Sequence, residues 1–362
     1  MSQFRLRAAV GLVAAAFTFA ACGEGTTLPT TVDPVEMQAD IEAVESAFAP
    51  PATQSFATMG YSMDAALAAI GGATVVHHLP AQMLTEGPVL PLRRMRDRIV
   101  DVTASETADA VPVTALGKTF VFNASTWAYE IDNTRTGAPA GGVRFILYAL
   151  DIDGFIIVPL SEVGYADLTS SGSGSSATAT VSVFATGGTK VMEYTATVGG
   201  TTSVPTFAVD GFAGTGVNQV TFELAVGISV NTGAITVYWR ADVPSRGLST
   251  RIQLAIGSGD DPSVTIGALM RNGVRKVEIG GTVSYFGGGT LTVKVGNKVF
   301  ATITLDEYGD AVIVDKNGAP LSAEDEETLE RIFNWFGNAF GMADALLAPL
   351  FVLLGLDDGG TV

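Results

Sequence analysis

The chain has 362 residues, with 20 Lys and Arg against 37 Asp and Glu, and its formal net charge is −17. Because so acidic a surface repels the nucleic-acid backbone, we expect no nucleic-acid partner. Apolar residues make up 47% of the chain, charged residues only 16%, and Gly occurs 42 times, which is typical of a large β protein with many turns.

Residues 1–21 have the layout of a secretory signal peptide. Arg5 and Arg7 precede an apolar run from Ala8 to Phe19, which is too short to span a bilayer comfortably. The run ends in Phe19-Ala20-Ala21-Cys22, and Cys22 is the only cysteine of the chain. This stretch resembles the lipobox of bacterial lipoproteins, in which small residues precede a cysteine that is acylated and becomes the mature N-terminus.

The resemblance implies a lipid anchor at Cys22 and a location in the bacterial cell envelope. Gly23, in place of Asp, implies the outer membrane under the sorting rule of enterobacteria. The lipobox usually has Leu at the position of Phe19, so cleavage after Ala20 or Ala21 without acylation and an uncleaved anchor are the alternatives. Residues 22–34 then form the acylated cysteine and a flexible tether, since they are small, polar and contain proline.

The region 35–110 is predicted to be helical at its start and irregular afterwards. Asp33-Pro34 reads as a helix start, and an apolar stripe predicts a helix from Val35 to Phe48 that stops at Pro50-Pro51. A second helix is predicted from the spacing of Phe56, Met59, Met63, Leu67 and Ile70 up to Gly71-Gly72.

The region 111–320 alternates apolar and polar residues with the period of a β-strand. The clearest case is Thr221 to Val230, in which Phe222, Leu224, Val226, Ile228 and Val230 share one face. Further strands are predicted at Thr119 to Phe122, Trp127 to Ile131, Val143 to Leu150, Phe155 to Pro159, Ala177 to Ala185, Val191 to Val198, Ala234 to Arg240, Arg251 to Ile256, Val274 to Ile279, Leu291 to Val295, Val299 to Leu305 and Ala311 to Val314.

The connections between these strands are too short for parallel crossovers, so we expect an antiparallel meander. Turn signals are Asp151-Ile152-Asp153-Gly154, Val295-Gly296-Asn297-Lys298 and Asp315-Lys316-Asn317-Gly318. The predicted fold class is mainly β (α+β), with a large curved antiparallel sheet and helices from both ends of the mature chain packed on it.

The region 321–362 is predicted to form a helical segment packed on the sheet. Ser322 and Asp325 resemble a capping box, and the residues that follow place four apolar side chains on one face: Leu329, Ile332, Phe333 and Phe336. The run from Phe340 to Leu356 is nearly all apolar but contains Asp344 and Pro349, so we favour a buried helix over a membrane-spanning one.

Few residues point to catalysis or to metal binding. His77 and His78 are the only histidines, and as neighbours on a strand they would face opposite ways, so neither a metal site nor a Ser-His-Asp mechanism is expected. Two carboxylate pairs, Asp151 with Asp153 and Asp260 with Asp261, are interpreted as turn residues rather than Ca²⁺ ligands. We therefore expect no catalytic residue, no metal and no cofactor.

Three other features have ordinary structural interpretations, and only the basic cluster also suggests a ligand. Ser170 to Ser176 reads as a flexible loop between strands. The basic cluster Arg93, Arg94, Arg96 and Arg98 would suit anionic headgroups, although a solvated stretch paired with the protein's own acids is commoner. The three tryptophans are too dispersed to define a sugar platform, and core packing is expected for Trp127, Trp239 and Trp335.

The leading functional hypothesis is a membrane-anchored, non-enzymatic envelope lipoprotein. Its partners would be the membrane, through the N-terminal acyl chains, and a lipid or other hydrophobic ligand held under the curved sheet. A structural or adhesive cell-surface β module is the alternative, and a carboxylate-dependent hydrolase is the third hypothesis.

Overall fold

The computed structural model describes residues 34–59 and 111–336, apart from gaps at 112, 153, 173–176, 202, 259–261, 274, 285–287, 307–310 and 334. Helix α1 spans Pro34–Phe48, α2 covers the described residues 51–59, and α3 covers the described residues 323–333 and 335–336. Short 3-10 turns lie at Val113–Ala115, Gly216–Asn218 and Pro244–Arg246.

Among the described residues, fifteen strands form one sheet, and neighbours in the sheet are mostly neighbours in the chain. The strands are β1 (Lys118–Asn123), β2 (Ala128–Ile131), β3 (Gly142–Tyr148), β4 (Glu162–Ser171), β5 (Thr178–Ala185), β6 (Lys190–Thr201), β7 (Val204–Ala213), β8 (Val220–Ile228), β9 (Ile235–Val243), β10 (Leu248–Ile256), β11 (Ser263–Asn272), β12 (Arg275–Ser284), β13 (Gly289–Val295), β14 (Lys298–Leu305) and β15 (Ala311–Asp315).

The order departs from a simple meander at one edge, where β1 lies between β3 and β2. There β1 pairs with β2 in antiparallel fashion and with β3 in parallel fashion. The predicted mainly β fold with an antiparallel meander is confirmed.

Three strands were missed by the sequence pattern, and one predicted strand is wrong. The missed strands are β4, β7 and β11, in which poor strand formers interrupt the alternation: Gly164 and Ala166 in β4, Pro205, Asp210 and Gly211 in β7, and Gly267 and Ala268 in β11. Phe155 to Pro159 is not a strand, and only Ile156 makes an isolated bridge, to Leu150. Proline lacks the N–H that a ladder requires, which limits pairing there.

The described residues divide into two compact units, whose boundaries fall inside α1 and inside β8. One, the 45–223 unit, contains the end of α1, α2 and the strands up to Glu223. The other, the 224–336 unit, contains residues 34–44 of α1 and the chain from Leu224 onward.

In the 45–223 unit, one face of the sheet is apolar and almost completely buried. Many side chains on this inward face have exposed fractions of 0%, including Leu147, Leu168, Val181, Val183 and Phe207. Part of the cover comes from the helices, because the Phe48 ring lies 6.5 Å from Phe222 and the Phe56 ring lies 6.3 Å from Tyr194. The Ser55 hydroxyl also accepts a hydrogen bond from the Tyr148 backbone N–H at 3.1 Å.

The 224–336 unit follows the same alternation. Leu224, Val226 and Ile228 are buried as predicted, but β8 ends at Ile228 and Val230 is 42% exposed, so the predicted strand was two residues too long. The hairpin turn at Gly296-Asn297 is confirmed, since Val295 pairs with Lys298 and Gly296 has a φ of 61° that favours glycine.

The start of α3 has the predicted pair of capping residues, Ser322 and Asp325, but one side chain of the predicted apolar face differs. The Asp325 backbone N–H donates to the Ser322 hydroxyl oxygen at 3.2 Å, while the same hydroxyl donates to the Asp325 carboxylate at 2.8 Å. Leu329, Ile332, Trp335 and Phe336 are buried, whereas Phe333 is only half-buried. Three of the four predicted apolar side chains are therefore buried, and Trp335 takes the place of Phe333 on the buried face.

Candidate functional sites on the outward face of the sheet

The outward face carries rows of hydroxyl side chains that run across neighbouring strands. In the 45–223 unit, strand register aligns Thr169, Thr180 and Thr195, and the hydroxyls of Thr180 and Thr195 are 3.3 Å apart. In the 224–336 unit, Thr265, Thr282, Thr290 and Thr304 are aligned in the same way. Both units thus present regularly spaced hydroxyl groups to the solvent side of the sheet.

A cleft interrupts the outward face of the 45–223 unit beside β1, β3 and β4. It encloses about 290 Å³, and we call it the arginine cleft, defined by Thr119, Arg135, Arg144, Glu162 and Tyr165. Gly164 lies in its floor, where a Cβ would come within 2.0 Å of the Phe184 carbonyl oxygen. Only glycine allows β4 to approach β5 this closely at that point.

Arg144 is held rigidly in this cleft. Its Nε and Nη2 donate to the two carboxylate oxygens of Asp167 at 2.6 and 2.7 Å, a bidentate pair. Its guanidinium carbon lies 3.9 Å from the ring centroid of Tyr165, whose other side stacks on Phe184 at 4.7 Å. The hydrogen bonds that Arg144 donates to the Asp167 carboxylate, together with the negative charge of that group, raise the pKa of Arg144 above its usual value.

Arg135 is the second cation of the cleft and is also paired. Its guanidinium forms a bidentate contact with Glu162 and lies 3.7 Å from Asp132. The hydrogen bond to Glu162 raises the pKa of Arg135, and hydrogen bonds from Thr134 lower the pKa of Asp132. Both arginines therefore remain charged, and each is neutralised by a carboxylate beside it.

Thr119 is one of the residues that line the cleft, and its hydroxyl is buried. The residue is 1% exposed, and its Oγ1 has no hydrogen-bond partner among the described residues. Buried hydroxyls in proteins usually have a partner, so this atom is unusual. It lies directly beside Arg144, because β1 and β3 pair in parallel at this position.

A second recess lies on the outward face of the 224–336 unit. It encloses about 520 Å³ over a floor made by Gly267 and Gly280, which face each other across β11 and β12. Its walls include Arg251 and Lys294, and Glu278 at its edge is paired with Lys276 at 2.7 Å. We call it the glycine recess.

The sequence-predicted site residues lie mostly outside the described residues. This applies to Cys22, His77, His78, the basic cluster at Arg93, Arg94, Arg96 and Arg98, the pair Asp260 and Asp261, and the segment from Phe340 to Leu356. Ser170 and Ser171 belong to β4, so the predicted loop is shorter, and residues 173–176 are not described.

The remaining predictions can be placed. Asp151 is a turn residue as predicted, since its carboxylate accepts the Phe155 N–H at 2.9 Å. Trp239 and Trp335 are buried, but Trp127 is 54% exposed in a tight turn with a φ of 52°, so core packing was wrong for this residue.

The cleft itself was not predicted. The sequence feature that could have indicated it is Arg144, a charged residue at an outward position between the apolar residues Val143 and Phe145.

Within 34–59 and 111–336, no group of three or more His, Cys, Asp or Glu side chains is placed to hold a metal ion. The helices in these ranges lack the combination of length and apolar composition needed to cross a membrane.

No protein-family model matches the chain, and no curated protein or solved structure matches it significantly. A functional argument for this single-sheet β protein therefore depends on its own residues and geometry.

Proposed function

We propose that the chain is a lipid-anchored protein of the bacterial cell envelope that acts by binding rather than by catalysis. The observation that carries the proposal is the division of the sheet between a buried apolar face and an outward face with aligned threonines and two recesses. Concave sites with a few convergent polar groups are the usual form of ligand sites.

The anchor would be Cys22, acylated after removal of residues 1–21, in the outer membrane. More than one acyl chain would give stable attachment, since a single chain of myristoyl length binds only marginally. Residues 23–33 would then connect the membrane to α1, which is fixed to the 224–336 unit through the buried Asp40.

The polar groups of the outward face support the hypothesis of a surface module that contacts a polar ligand or partner. The two carboxylates at the arginine cleft, Glu162 and Asp167, are each paired with an arginine. Carboxylates held in this way are better suited to binding than to acid–base catalysis. Large inward side chains of the 45–223 unit, such as Leu168, Val181 and Phe207, are 0% exposed, so a lipid held among them would have to displace packed side chains. The test described next would also detect a hydrophobic ligand held under the sheet.

The test compares the full chain with Cys22→Ala in a bacterial host grown with an alkyne analogue of palmitate. We expect label and outer-membrane fractionation for the unaltered chain and neither for Cys22→Ala. An unlabelled protein released to the soluble fraction would contradict the anchor. Organic extraction of purified Cys22→Ala protein, followed by lipid mass spectrometry, would favour the hydrophobic-ligand hypothesis if lipid were found at one molecule per chain.

A further inference from the structure

The charges of the arginine cleft are balanced within the cleft itself. Arg144 is neutralised by Asp167, and Arg135 by Glu162, with Asp132 close to the same guanidinium. No cation of the cleft is left without a carboxylate beside it. An anionic ligand would therefore compete with carboxylates that already hold both guanidinium groups in bidentate geometry, so the cleft suits a neutral ligand.

The cleft nevertheless retains hydrogen-bonding groups of both kinds. The Thr119 hydroxyl can donate and accept, and it has no partner among the described residues. Arg144 uses Nε and Nη2 on Asp167, which leaves the N–H groups of Nη1 to donate. The Glu162 carboxylate has about four acceptor positions, of which Arg135 uses two.

Gly137 keeps the free edge of Arg144 accessible. A Cβ at this position would lie 3.0 Å from Nη1, and the backbone φ of 96° also favours glycine. A larger residue at 137 would thus press on Nη1, the guanidinium nitrogen that makes no hydrogen bond to Asp167.

The volume of the cleft and the contacts of the Tyr165 ring further restrict the kind of ligand that it can bind. A volume of about 290 Å³ is at the lower end of ligand pockets, which suits a single ring-sized group. Both faces of the Tyr165 ring are covered, by Arg144 and by Phe184, so the ring can meet a ligand only with its edge or hydroxyl. Recognition would come from hydrogen bonds more than from stacking.

We propose that the arginine cleft binds one residue of a neutral saccharide, whose hydroxyls both donate and accept, with Thr119, Arg144 and Glu162 as the contacting groups. This names the ligand class for the binding role proposed above and rests on that proposal. A sugar hydroxyl would supply the missing partner of Thr119 and would accept from Nη1 of Arg144.

The experiment uses the purified full chain carrying Cys22→Ala, so that acylation plays no part in it. Saturation-transfer NMR and calorimetry would be run with the methyl glycosides of glucose, galactose, mannose and N-acetylglucosamine. Glucuronic acid and inorganic phosphate serve as anionic probes. We expect at least one neutral glycoside to bind and neither anionic probe to compete with it.

Thr119→Val is the decisive variant. It removes the hydroxyl at nearly constant volume, and because that hydroxyl has no partner, the variant should fold with an unchanged or slightly raised melting temperature. We expect it to weaken glycoside binding about fivefold to tenfold, the loss of one hydrogen bond. Thr250→Val is the matched control, since Thr250 is also 1% exposed with an unpartnered Oγ1 but lies in β10 of the other unit.

Glu162→Gln provides a second variant at the half-exposed rim, where folding is less at risk, and should weaken binding at least threefold. The proposal is overturned if no neutral glycoside binds, if an anionic probe binds in preference, or if Thr119→Val binds as tightly as Thr250→Val. Such a result would leave the acyl-labelling test of the anchor unaffected, and failure of that test would leave glycoside binding unaffected.

Discussion

The carboxylate of Asp40 is fully buried, and the guanidinium of Arg275 lies 3.2 Å from it. Arg246 and Asn272 complete the contacts at 2.9 and 3.0 Å, so three residues converge on one side chain of α1, two of them from the β11–β12 hairpin and one from the Pro244–Arg246 turn. A buried ion that has all its partners is tolerated, but one that loses a partner is costly. This cluster fixes α1 to the strands at the point where the N-terminal tether would begin.

Replacing Asp40 with Ala should reduce the free energy of unfolding by about 3 kcal/mol, because Arg275 and Arg246 would lose their buried partner. Glu36→Ala is the matched control: Glu36 also contacts Arg275, at 3.1 Å, but it is 57% exposed. We expect it to cost less than about 1 kcal/mol. Urea unfolding followed by tryptophan fluorescence measures both, and equal effects would contradict the role given to Asp40.

The two faces of the sheet should respond differently to truncation. Leu168 is 0% exposed and Thr169 beside it is half-buried on the outward face. Leu168→Ala should destabilise the protein by about 2–5 kcal/mol through the cavity that it leaves. Thr169→Ala should change stability by less than about 0.5 kcal/mol. Chemical denaturation of both variants decides the point, and a Leu168→Ala cost below that of Thr169→Ala would reverse the assignment of the faces.

The cap of α3 offers a local test. Ser322→Ala removes the acceptor for the Asp325 N–H and the donor to the Asp325 carboxylate, which is buried. We expect a loss of about 1–2 kcal/mol, at the upper end of the range for N-caps. Ser263→Ala, at an exposed position of β11, is the control and should be neutral. The two melting temperatures provide the comparison, and no difference would mean that the cap contributes little.

Buried tyrosines predict a loss of stability at alkaline pH. Burial raises the pKa of Tyr129, whose hydroxyl donates to the Ile146 carbonyl at 2.9 Å, and it also raises the pKa of Tyr194. The unfolded chain can ionise these groups above about pH 10, whereas the folded chain cannot. Below about pH 10 the ionisation of these tyrosines does not affect the free energy of unfolding. Above about pH 10 the free energy of unfolding decreases as the pH rises, by up to about 1.4 kcal/mol per pH unit for each tyrosine.

Unfolding free energies measured from pH 8 to pH 11 test this sign directly. Tyr129→Phe should flatten the decline above pH 10, at a cost of about 1 kcal/mol at neutral pH for the lost hydrogen bond. Stability that rises or stays constant between pH 10 and pH 11 in the unaltered protein would be inconsistent with the burial of both phenols.

The sequence pattern was sufficient to predict the strands in which large apolar residues occupy every inward position, such as β8 with Phe222, Leu224 and Val226. It failed for β7, in which Pro205, Asp210 and Gly211 are poor strand formers that only the register with β6 explains. In β7 the strand conformation is therefore stabilised by pairing with β6, and not by the strand preference of its own residues.

The arginine cleft could not be predicted for a related reason. Arg144 and Asp167 are 23 residues apart in the chain, and their contact depends on the alignment of β3 with the unpredicted β4. Alternation alone indicates which face a residue occupies, but not which residue on the next strand it meets. The Oγ1 of Thr119 likewise becomes notable only once its neighbours are known.

Mass spectrometry of the N-terminal peptide, taken from protein purified from bacterial membranes, tests the central claim most directly. We expect a peptide that begins at Cys22 and carries a diacylglyceryl group on sulfur and an acyl chain on the amine. A peptide that begins at Cys22 or Ala21 without lipid, or that still contains residues 1–21, would contradict the lipid anchor.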